Sequence, residues 1–196
     1  MKIILIRHGK PDISSWGKLK ASELHQWIES YNSVGIKKES QPPREATEAV
    51  TNCNAIVCSD LPRSIESAKA LGIKKVHYTE SIFREMGLPY AGWSFPKLSP
   101  DTWAVIFRTL WFLGFSRNSE SFSSAKLRAT GATEKLRQIA QEHGSVLLVG
   151  HGMVNRYIAK ELLSSGWQGP SNPGKKYGEF GVYEYSKTLR STGARS

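Results

Sequence analysis

The sequence predicts an α/β fold: a three-layer sandwich with a mostly parallel central sheet, helices on both faces, and a helical insertion capping the site at one sheet edge. Apolar runs at residues 3–6, 55–58 and 146–149 are typical of strands buried on both faces. Segments with helical spacing follow these runs, as parallel strands require for their crossover connections. The chain has 196 residues, which is enough for one sizeable core.

Spacing and turn residues predict the other elements of the first half. Leu24, Trp27, Ile28 and Tyr31 recur at helical intervals, which predicts an amphipathic helix over residues 19–31. The remaining predictions here are a short helix over 44–52, a helix over 64–71 closed by Gly72, and a third strand over 75–78.

The second half begins with an irregular region over residues 80–124 that prolines and glycines interrupt. Its residues 103–115 are strongly apolar at helical spacing. The chain then predicts a helix over 122–141 with apolar positions at Leu127, Leu136 and Ile139, a helix over 154–163, and an edge strand over 180–185. The small, polar and basic tail after Ser186 is expected to be frayed.

Composition indicates a globular protein with an anionic partner. Hydrophobic residues make up 39% and charged residues 22% of the chain, unlike a disordered protein. The net charge of +10 favours a phosphorylated metabolite, a nucleic acid or an acidic membrane surface. Basic residues are spread along the chain, so no nucleic-acid partner is expected. No apolar run reaches the roughly 20 residues of a membrane span.

The two cysteines and the N-terminal region predict a cytoplasmic protein. Cys53 and Cys58 fit no zinc or redox spacing, and both are expected to be reduced thiols. Cys58 lies in an apolar strand as a small buried hydrophobe. No signal-peptide pattern is visible, because an apolar strand starts at residue 2 and a polar segment follows by residue 10.

Polar side chains follow three predicted strands at the point where each strand ends. Arg7 and His8 follow the first, residues 59–63 with Arg63 follow the second, and His151 follows the strand at 146–149. Parallel neighbours would bring these groups to one sheet edge, where open α/β folds bind ligands. Arginine binds phosphate oxygens bidentately, and a neutral imidazole can attack phosphorus. We therefore expect His8 as a nucleophile for phosphate, two arginine clamps, and His151 as a donor to the phosphoryl oxygens.

Backbone features are expected to shape this phosphate site. Gly9 lets the chain turn sharply after the first strand, and the helix after His151 is expected to point its N-terminal amides at the anion. Cationic side chains supply positive charge, so neither a metal nor a cofactor is expected. No cluster of His, Cys and Asp has zinc-ligand spacing.

A leaving alcohol needs a proton, which requires a carboxylic acid beside the phosphate. Glu85 follows the third strand and is the preferred candidate, whereas Asp60 and Glu80 are less well placed. The alternative for Glu85 is a solvated loop carboxylate, and for Asp60 a turn or cap residue is the favoured interpretation. A single histidine at a strand end is likewise more often structural, so the catalytic interpretation depends on several groups converging.

Five motifs occur along nearly the whole chain in the same order as in a known protein family. They are Arg7-His8-Gly9, residues 59–63 with Ser67-Ala68, Phe83-Arg84-Glu85-Met86-Gly87, Ser119-Glu120-Ser121, and the strand and histidine at 146–152. This set resembles the histidine phosphatase superfamily, phosphoglycerate mutase-like branch. The resemblance implies His8 as the phosphorylated nucleophile, Arg7, Arg63 and His151 as the rest of the phosphate pocket, and Glu85 as the proton donor.

The resemblance also implies that residues 1–196 form a single histidine phosphatase-like domain with a cap at about residues 86–124. Two positions depart from the family pattern. Lys10-Pro11 stand where Glu-Thr or Glu-Ser is common, and Ser14 stands where an asparagine is frequent. The departures predict a more basic substrate mouth and one phosphate hydrogen bond that is either weaker or made by a different group.

The apolar segment over residues 103–115 leaves three interpretations open. It could be a core or cap helix packed over the sheet edge, which is the favoured one. It could line the pocket and select an apolar leaving group, in which case Trp111 is a residue to test. It could also be a dimer or membrane-surface contact, since Arg108 is the only charged residue in it.

The predicted function is a metal-independent phosphatase that hydrolyses a phosphomonoester through a covalent phosphohistidine. Its substrate would be a small phosphorylated molecule or a phosphoprotein. One alternative is a phosphoglycerate mutase-type transfer, although the chain is short for that branch. A further alternative is a non-catalytic basic module that binds nucleic acid or acidic lipid. The sequence leaves the oligomeric state open, a dimer included.

Overall fold

The computed structural model describes residues 1–186, so the tail predicted to fray after Ser186 lies outside the described residues. The strands are β1 (Lys2–Arg7), β2 (Ala55–Cys58), β3 (Tyr78–Thr79), β4 (Ser145–Gly150) and β5 (Phe180–Glu184). The helices are α1 (Leu24–Ser33), α2 (Arg44–Val50), α3 (Pro62–Ala70), α4 (Pro100–Phe112), α5 (Phe122–His143) and α6 (Gly152–Ser164). Short 3₁₀ turns occupy Ala21–Glu23 and Ser81–Phe83.

The strands form one mixed sheet in the spatial order β3-β2-β4-β1-β5. Strand β4 lies between β1 and β2 and is parallel to both. Strand β5 is antiparallel to β1 and forms one edge. The three strands that end in polar groups are therefore adjacent, and their carboxyl ends lie at the same edge, as the sequence predicts.

Helices cover both faces of this sheet, which confirms the predicted three-layer α/β architecture. Ile3, Leu5 and Leu148 pack against α5 and α6 on one face. Ile4, Ile6 and Leu147 pack against α2 and α3 on the other. The four central side chains of β1, residues 3–6, alternate between the two faces and are all buried, which explains the continuous apolar run.

A separate apolar cluster joins α1 and α4 away from the two sheet faces. Leu24, Trp103 and Phe107 are its largest buried members. The Trp103 indole nitrogen donates to the Leu19 carbonyl oxygen at 2.8 Å, which ties α4 to the segment before α1. Helix α4 thus packs Trp103 and Phe107 inward, as expected of the favoured core or cap interpretation, whereas Phe112 at its end is exposed.

Two details differ from the sequence predictions. The third strand covers Tyr78–Thr79 and overlaps the predicted range of 75–78 only at Tyr78. Just before it, the His77 amide donates to the Ile56 carbonyl at 2.9 Å, but the Ile56 amide donates to the Nδ1 atom of the His77 side chain at 3.0 Å and not to a backbone carbonyl. The prediction that Leu127 lies on the buried apolar face of this helix is wrong, since its side chain is 74% exposed on α5. Small alanines such as Ala125 and Ala129 form the buried stripe there instead.

In residues 1–186, none of the helices combines the length and apolar character that crossing a membrane requires.

Candidate active site

The two histidines meet at the carboxyl edge of the sheet. Adjacent strands β1 and β4 end at Arg7 and Gly150, which are register partners, and the His8 amide donates to the Gly150 carbonyl at 3.0 Å. The rings of His8 and His151 lie edge to face with centroids 4.9 Å apart. Both side chains are buried. Two residues more than 140 positions apart in the chain therefore share one small polar site.

The surroundings of His8 select its tautomer. Its Nδ1 atom lies 2.7 Å from the Gly9 carbonyl oxygen, and since a carbonyl only accepts, Nδ1 carries the proton. The lone pair is then on Nε2. Burial lowers the pKa of His8 to about 3, and the charges of Arg63 and Arg7 add to this effect, which outweighs the opposing hydrogen bond to Gly9. The imidazole is therefore neutral at physiological pH, the form that a nucleophile requires.

A serine fixes the second histidine. The Ser59 hydroxyl oxygen lies 2.7 Å from Nε2 of His151 and accepts a long contact of 3.4 Å from the Leu61 amide. The hydroxyl can donate to Nε2 or accept from it. We assign the hydroxyl as the donor, which puts the proton of His151 on Nδ1, because the expected role of this histidine is to donate to a phosphoryl oxygen. Burial, followed by the neighbouring His8 ring and Arg63, lowers the pKa of His151 well below its usual range. A neutral N–H donor results.

Each arginine stacks on a tyrosine. The Arg7 guanidinium lies 4.4 Å from the Tyr177 ring centre and donates to the Lys175 carbonyl oxygen. The Arg63 guanidinium lies 4.6 Å from the Tyr31 ring centre. It also donates to the Tyr31 carbonyl at 2.9 Å. Both terminal nitrogens of Arg63 also donate to the Asn32 side-chain oxygen at 3.3 Å. These contacts hold both planar cations in place and leave the Nε atom of each without a partner among the described residues.

Three buried donors at this site lack a hydrogen-bond partner among residues 1–186. They are Nε of Arg7, Nε of Arg63 and Nδ1 of His151. One buried acceptor in the described residues, the Oδ1 atom of Asn155, also lacks a hydrogen-bond partner. Buried donors are nearly always paired in folded proteins. Three unpaired ones around a single imidazole match the several acceptor oxygens of one tetrahedral anion.

Glu85 lies at the N-terminus of α6. Its Oε1 atom accepts from the amides of Met86, Met153 and Val154 at 2.9, 3.1 and 3.0 Å. Its Oε2 atom accepts only from Met153, at 3.0 Å. The prediction that the α6 amides point at the phosphate is therefore wrong for Met153 and Val154, because the carboxyl group occupies this favourable end of the helix dipole.

An ion pair anchors the segment that carries Glu85. Arg128 of α5 donates to both carboxylate oxygens of Glu120, at 3.0 and 2.6 Å, and to the carbonyl of Glu85 at 3.3 Å. Glu120 in turn accepts from the Gly87 amide at 2.9 Å. Burial would raise the pKa of Glu120, but the Arg128 hydrogen bonds and the Gly87 amide hold it below its ordinary value.

The other sequence candidates lie in different surroundings. Asp60 forms a bidentate pair with Arg84 at 2.6 Å, and Glu80 contacts Lys135 at 2.5 Å. Neither carboxylate is among the partners of the phosphate site. Of the three residues that depart from the family pattern, Lys10 and Ser14 are exposed and Pro11 is buried.

Gly9 is required for a different reason from the predicted one. It does not adopt a positive φ. A Cβ atom there would lie 2.7 Å from the Ser40 hydroxyl and 3.2 Å from the Ile36 side chain. Its amide donates to the Ser67 hydroxyl at 2.8 Å, which links the end of β1 to α3. Close approach of a neighbouring loop, rather than a sharp turn, excludes a side chain.

Several residues of the site were not predicted from the sequence. Ser59 and Glu120 belong to two of the five motifs, and this membership was a signal that could have identified them. Tyr31 and Tyr177 carry no such signal. Arg128 is eight residues after Glu120 on an ordinary helix, and only the fold brings it beneath Glu85.

A cavity of about 510 Å³ adjoins the phosphate site. Arg63 and Glu85 form part of its wall, and α4 contributes Ala104, Val105 and Arg108. Trp111 is buried elsewhere, against Ala125 and Ala129, and does not line it. The face of α4 that lines the cavity therefore carries Ala104, Val105 and Arg108, and not Trp111, which the pocket interpretation had singled out.

In residues 1–186, no group of three or more His, Cys, Asp or Glu side chains could hold a metal ion.

Solved structures with this fold come from several bacteria. A Mycobacterium tuberculosis open-reading-frame product aligns over 95% of this chain and 92% of its own, with TM-score 0.63 and 18% identity. Bacillus stearothermophilus YhfR aligns over 94% and 91%, with TM-score 0.61 and 18% identity. A mycobacterial glucosyl-3-phosphoglycerate phosphatase in complex with VO3 aligns over 92% and 91%, with TM-score 0.59 and 19% identity. At these identities the likeness concerns the fold.

A search of curated protein sequences finds no match to the chain. The family model for the histidine phosphatase superfamily (branch 1) matches residues 3–189, nearly the full length. The chain therefore belongs to branch 1 of the histidine phosphatase superfamily, and this membership supports a phosphatase or other phosphoryl-transfer function.

Proposed function

We propose that the protein is a phosphatase that hydrolyses a phosphomonoester through a covalent phosphohistidine on His8. The observation that carries this proposal is the set of three unpaired buried donors, on Arg7, Arg63 and His151, around an imidazole whose Nε2 atom holds a lone pair. A phosphoryl group bound there would satisfy the donors and place phosphorus before the nucleophile.

In the first step, the Nε2 lone pair of His8 forms a bond to phosphorus as the bond from phosphorus to the leaving oxygen breaks. Glu85 gives its proton to that oxygen, so the product leaves as a neutral alcohol. We assign this proton to Oε2, because Oε1 already accepts three amides. The Gly9 carbonyl stabilises the Nδ1–H of the phosphorylated ring.

In the second step, water attacks the phosphohistidine. Glu85, now a carboxylate, accepts the proton of the water as the bond between nitrogen and phosphorus breaks. Inorganic phosphate leaves, and His8 returns to its neutral tautomer. Arg7 and Arg63 neutralise the phosphoryl oxygens in both steps, so the proposal needs no metal ion.

The cavity favours hydrolysis over the mutase alternative. A mutase must hold a second anionic group of its substrate, but the other arginines of the lining, Arg84 and Arg108, already bind Asp60 and the carbonyls of Met86 and Gly87. We also propose that residues 1–196 form one domain, with residues 86–124 as the cap over this cavity. Both thiols are unpaired, which fits the proposed cytoplasmic location.

The test is a panel of phosphomonoesters with wild-type protein and His8→Ala, with released inorganic phosphate as the readout. We expect hydrolysis by the wild type that chelators leave unchanged and that His8→Ala abolishes. Transfer that needs a bisphosphate primer and releases little phosphate would instead support the mutase. Salt-sensitive binding to DNA or acidic vesicles, without hydrolysis and unaffected by His8→Ala, would support the non-catalytic module.

A further inference from the structure

The 510 Å³ cavity beside Arg63 and Glu85 is in the size range of small-molecule sites. Arg63 is a proposed phosphate clamp and Glu85 is the proposed donor to the leaving oxygen. Whatever is esterified to the bound phosphate would therefore extend past these two residues into the cavity. The chemistry of its walls then describes the leaving group.

The charged residues of the lining are already paired within the protein. Arg84 binds both carboxylate oxygens of Asp60. Arg108 donates to the carbonyls of Gly87 and Met86 at 2.9 and 3.0 Å, and its guanidinium lies 4.6 Å from the ring centre of Trp111. Beyond the phosphate clamp and the proton donor, the lining offers no uncommitted charged side chain in the described part of the chain.

Most of the remaining lining is apolar, and one wall is aromatic. The threonine and the asparagine of this lining also have partners within the protein: the Thr109 hydroxyl donates to the Val105 carbonyl at 2.9 Å, and the Asn32 side-chain oxygen accepts from Arg63 at 3.3 Å. Trp27 and Tyr31 of α1 both line the cavity with their rings stacked, centroids 5.2 Å apart. Arg63 lies against Tyr31, so this aromatic wall begins beside the phosphate clamp. Helix α4 contributes the small side chains Ala104 and Val105, which leave the space open.

We propose that the substrate is a phosphomonoester whose leaving group is uncharged, apolar and ring-bearing, bound between α1 and α4. This inference rests on the proposed function and adds its substrate class. A polyol or a carboxylate-bearing metabolite would place hydroxyl or charged groups against apolar walls without partners, at a cost in binding. A ring would instead bury its faces against Trp27 and Tyr31.

The test compares two primary alkyl esters with similar intrinsic reactivity, 2-phenylethyl phosphate and glycerol 3-phosphate. We expect kcat/KM to favour 2-phenylethyl phosphate by at least about 10-fold. Val105→Asp should reduce this ratio about 10-fold or more, because it places a charge in the cavity lining. Val105 is exposed at the rim of the cavity, so the substitution leaves the core intact. Trp27→Ala should also reduce it, whereas Trp27→Phe should retain most of it.

Leu127→Asp is the matched control, since Leu127 is an exposed aliphatic residue on α5 outside the cavity. This variant should leave the ratio unchanged. A wild-type ratio near one, or a ratio insensitive to Val105→Asp, would overturn the inference.

Binding to His8→Ala separates this inference from the proposed function. Calorimetry with the two intact esters should give tighter binding of 2-phenylethyl phosphate by about 10-fold in this non-hydrolysing variant. That preference without any wild-type turnover would refute the phosphatase and keep the substrate class. His8-dependent turnover with equal binding of both esters would refute the substrate class and keep the phosphatase.

Discussion

Glu85 illustrates how much the function of one side chain depends on where it is held. The sequence predicted it as the proton donor from its position after the third strand and from its motif. Its contacts with the first amides of α6, 68 positions away, could not be predicted, because they depend on how the irregular region packs. The same holds for Arg7 and Arg63. Their role in phosphate binding was predicted from their positions at strand ends, but the tyrosine rings that support them were not.

If Glu85 protonates the leaving oxygen, its loss should matter most for poor leaving groups. Glu85→Gln should lower kcat/KM, which reports the phosphorylation step, about 100- to 1,000-fold for 2-phenylethyl phosphate and less than about 10-fold for p-nitrophenyl phosphate, whose leaving group needs no proton. Steady-state kinetics on both esters measures this. Asp60→Asn is the matched control and should affect the two esters equally. An equal loss for both esters in Glu85→Gln would exclude the role of proton donor.

Among the secondary-structure elements, β1, β2 and β4 were predictable almost to the residue, because strands buried on both faces leave continuous apolar runs. Helix α4 was predicted as a helix, but its cavity-lining face was not. Its aromatic residues indicate burial, and they bury against α1 and α5. The small residues that line the cavity leave no comparable signal.

The link between α5 and the Glu85 segment makes the Glu120–Arg128 pair an element-scale determinant of activity. Glu120→Gln should lower the free energy of unfolding by about 2 kcal/mol, because it weakens a partly buried bidentate pair. It should also lower kcat/KM more for 2-phenylethyl phosphate than for p-nitrophenyl phosphate, since Glu85 loses its support in the step that protonates the leaving oxygen. Urea unfolding and steady-state kinetics measure the two effects.

Glu134→Gln provides the control, since Glu134 and Arg137 form an exposed pair on the same helix. Its removal should change the free energy of unfolding by less than about 0.5 kcal/mol and leave kcat/KM for both esters unchanged. If Glu120→Gln behaved like this control, the pair would have no part in holding Glu85.

On the scale of the whole molecule, two buried neutral histidines make stability depend on pH. Burial lowers the pKa of His8 to about 3 and that of His151 well below its usual range. The unfolded chain therefore binds protons in mildly acidic solution that the folded chain does not. The free energy of unfolding is therefore highest above the ordinary histidine pKa of about 6.5. It decreases as pH falls below that value, by up to about 1.4 kcal/mol per pH unit for each histidine.

Urea unfolding at pH 7, 6 and 5 should reveal this loss in the wild type. His8→Asn should reduce the slope by close to one proton, because the substituted side chain does not titrate. An unchanged slope would mean that His8 has the same proton affinity in the folded and unfolded chains, contrary to its burial beside two arginines.

The most direct test of the central claim is to trap the intermediate. The protein is mixed with a substrate ester, quenched in alkaline detergent, and the phosphorylated peptide is mapped by mass spectrometry. The account predicts base-stable, acid-labile phosphate on Nε2 of His8, formed at the rate of alcohol release and absent in His8→Ala. Phosphate on His151 or another residue, or hydrolysis that continues in His8→Ala, would contradict it.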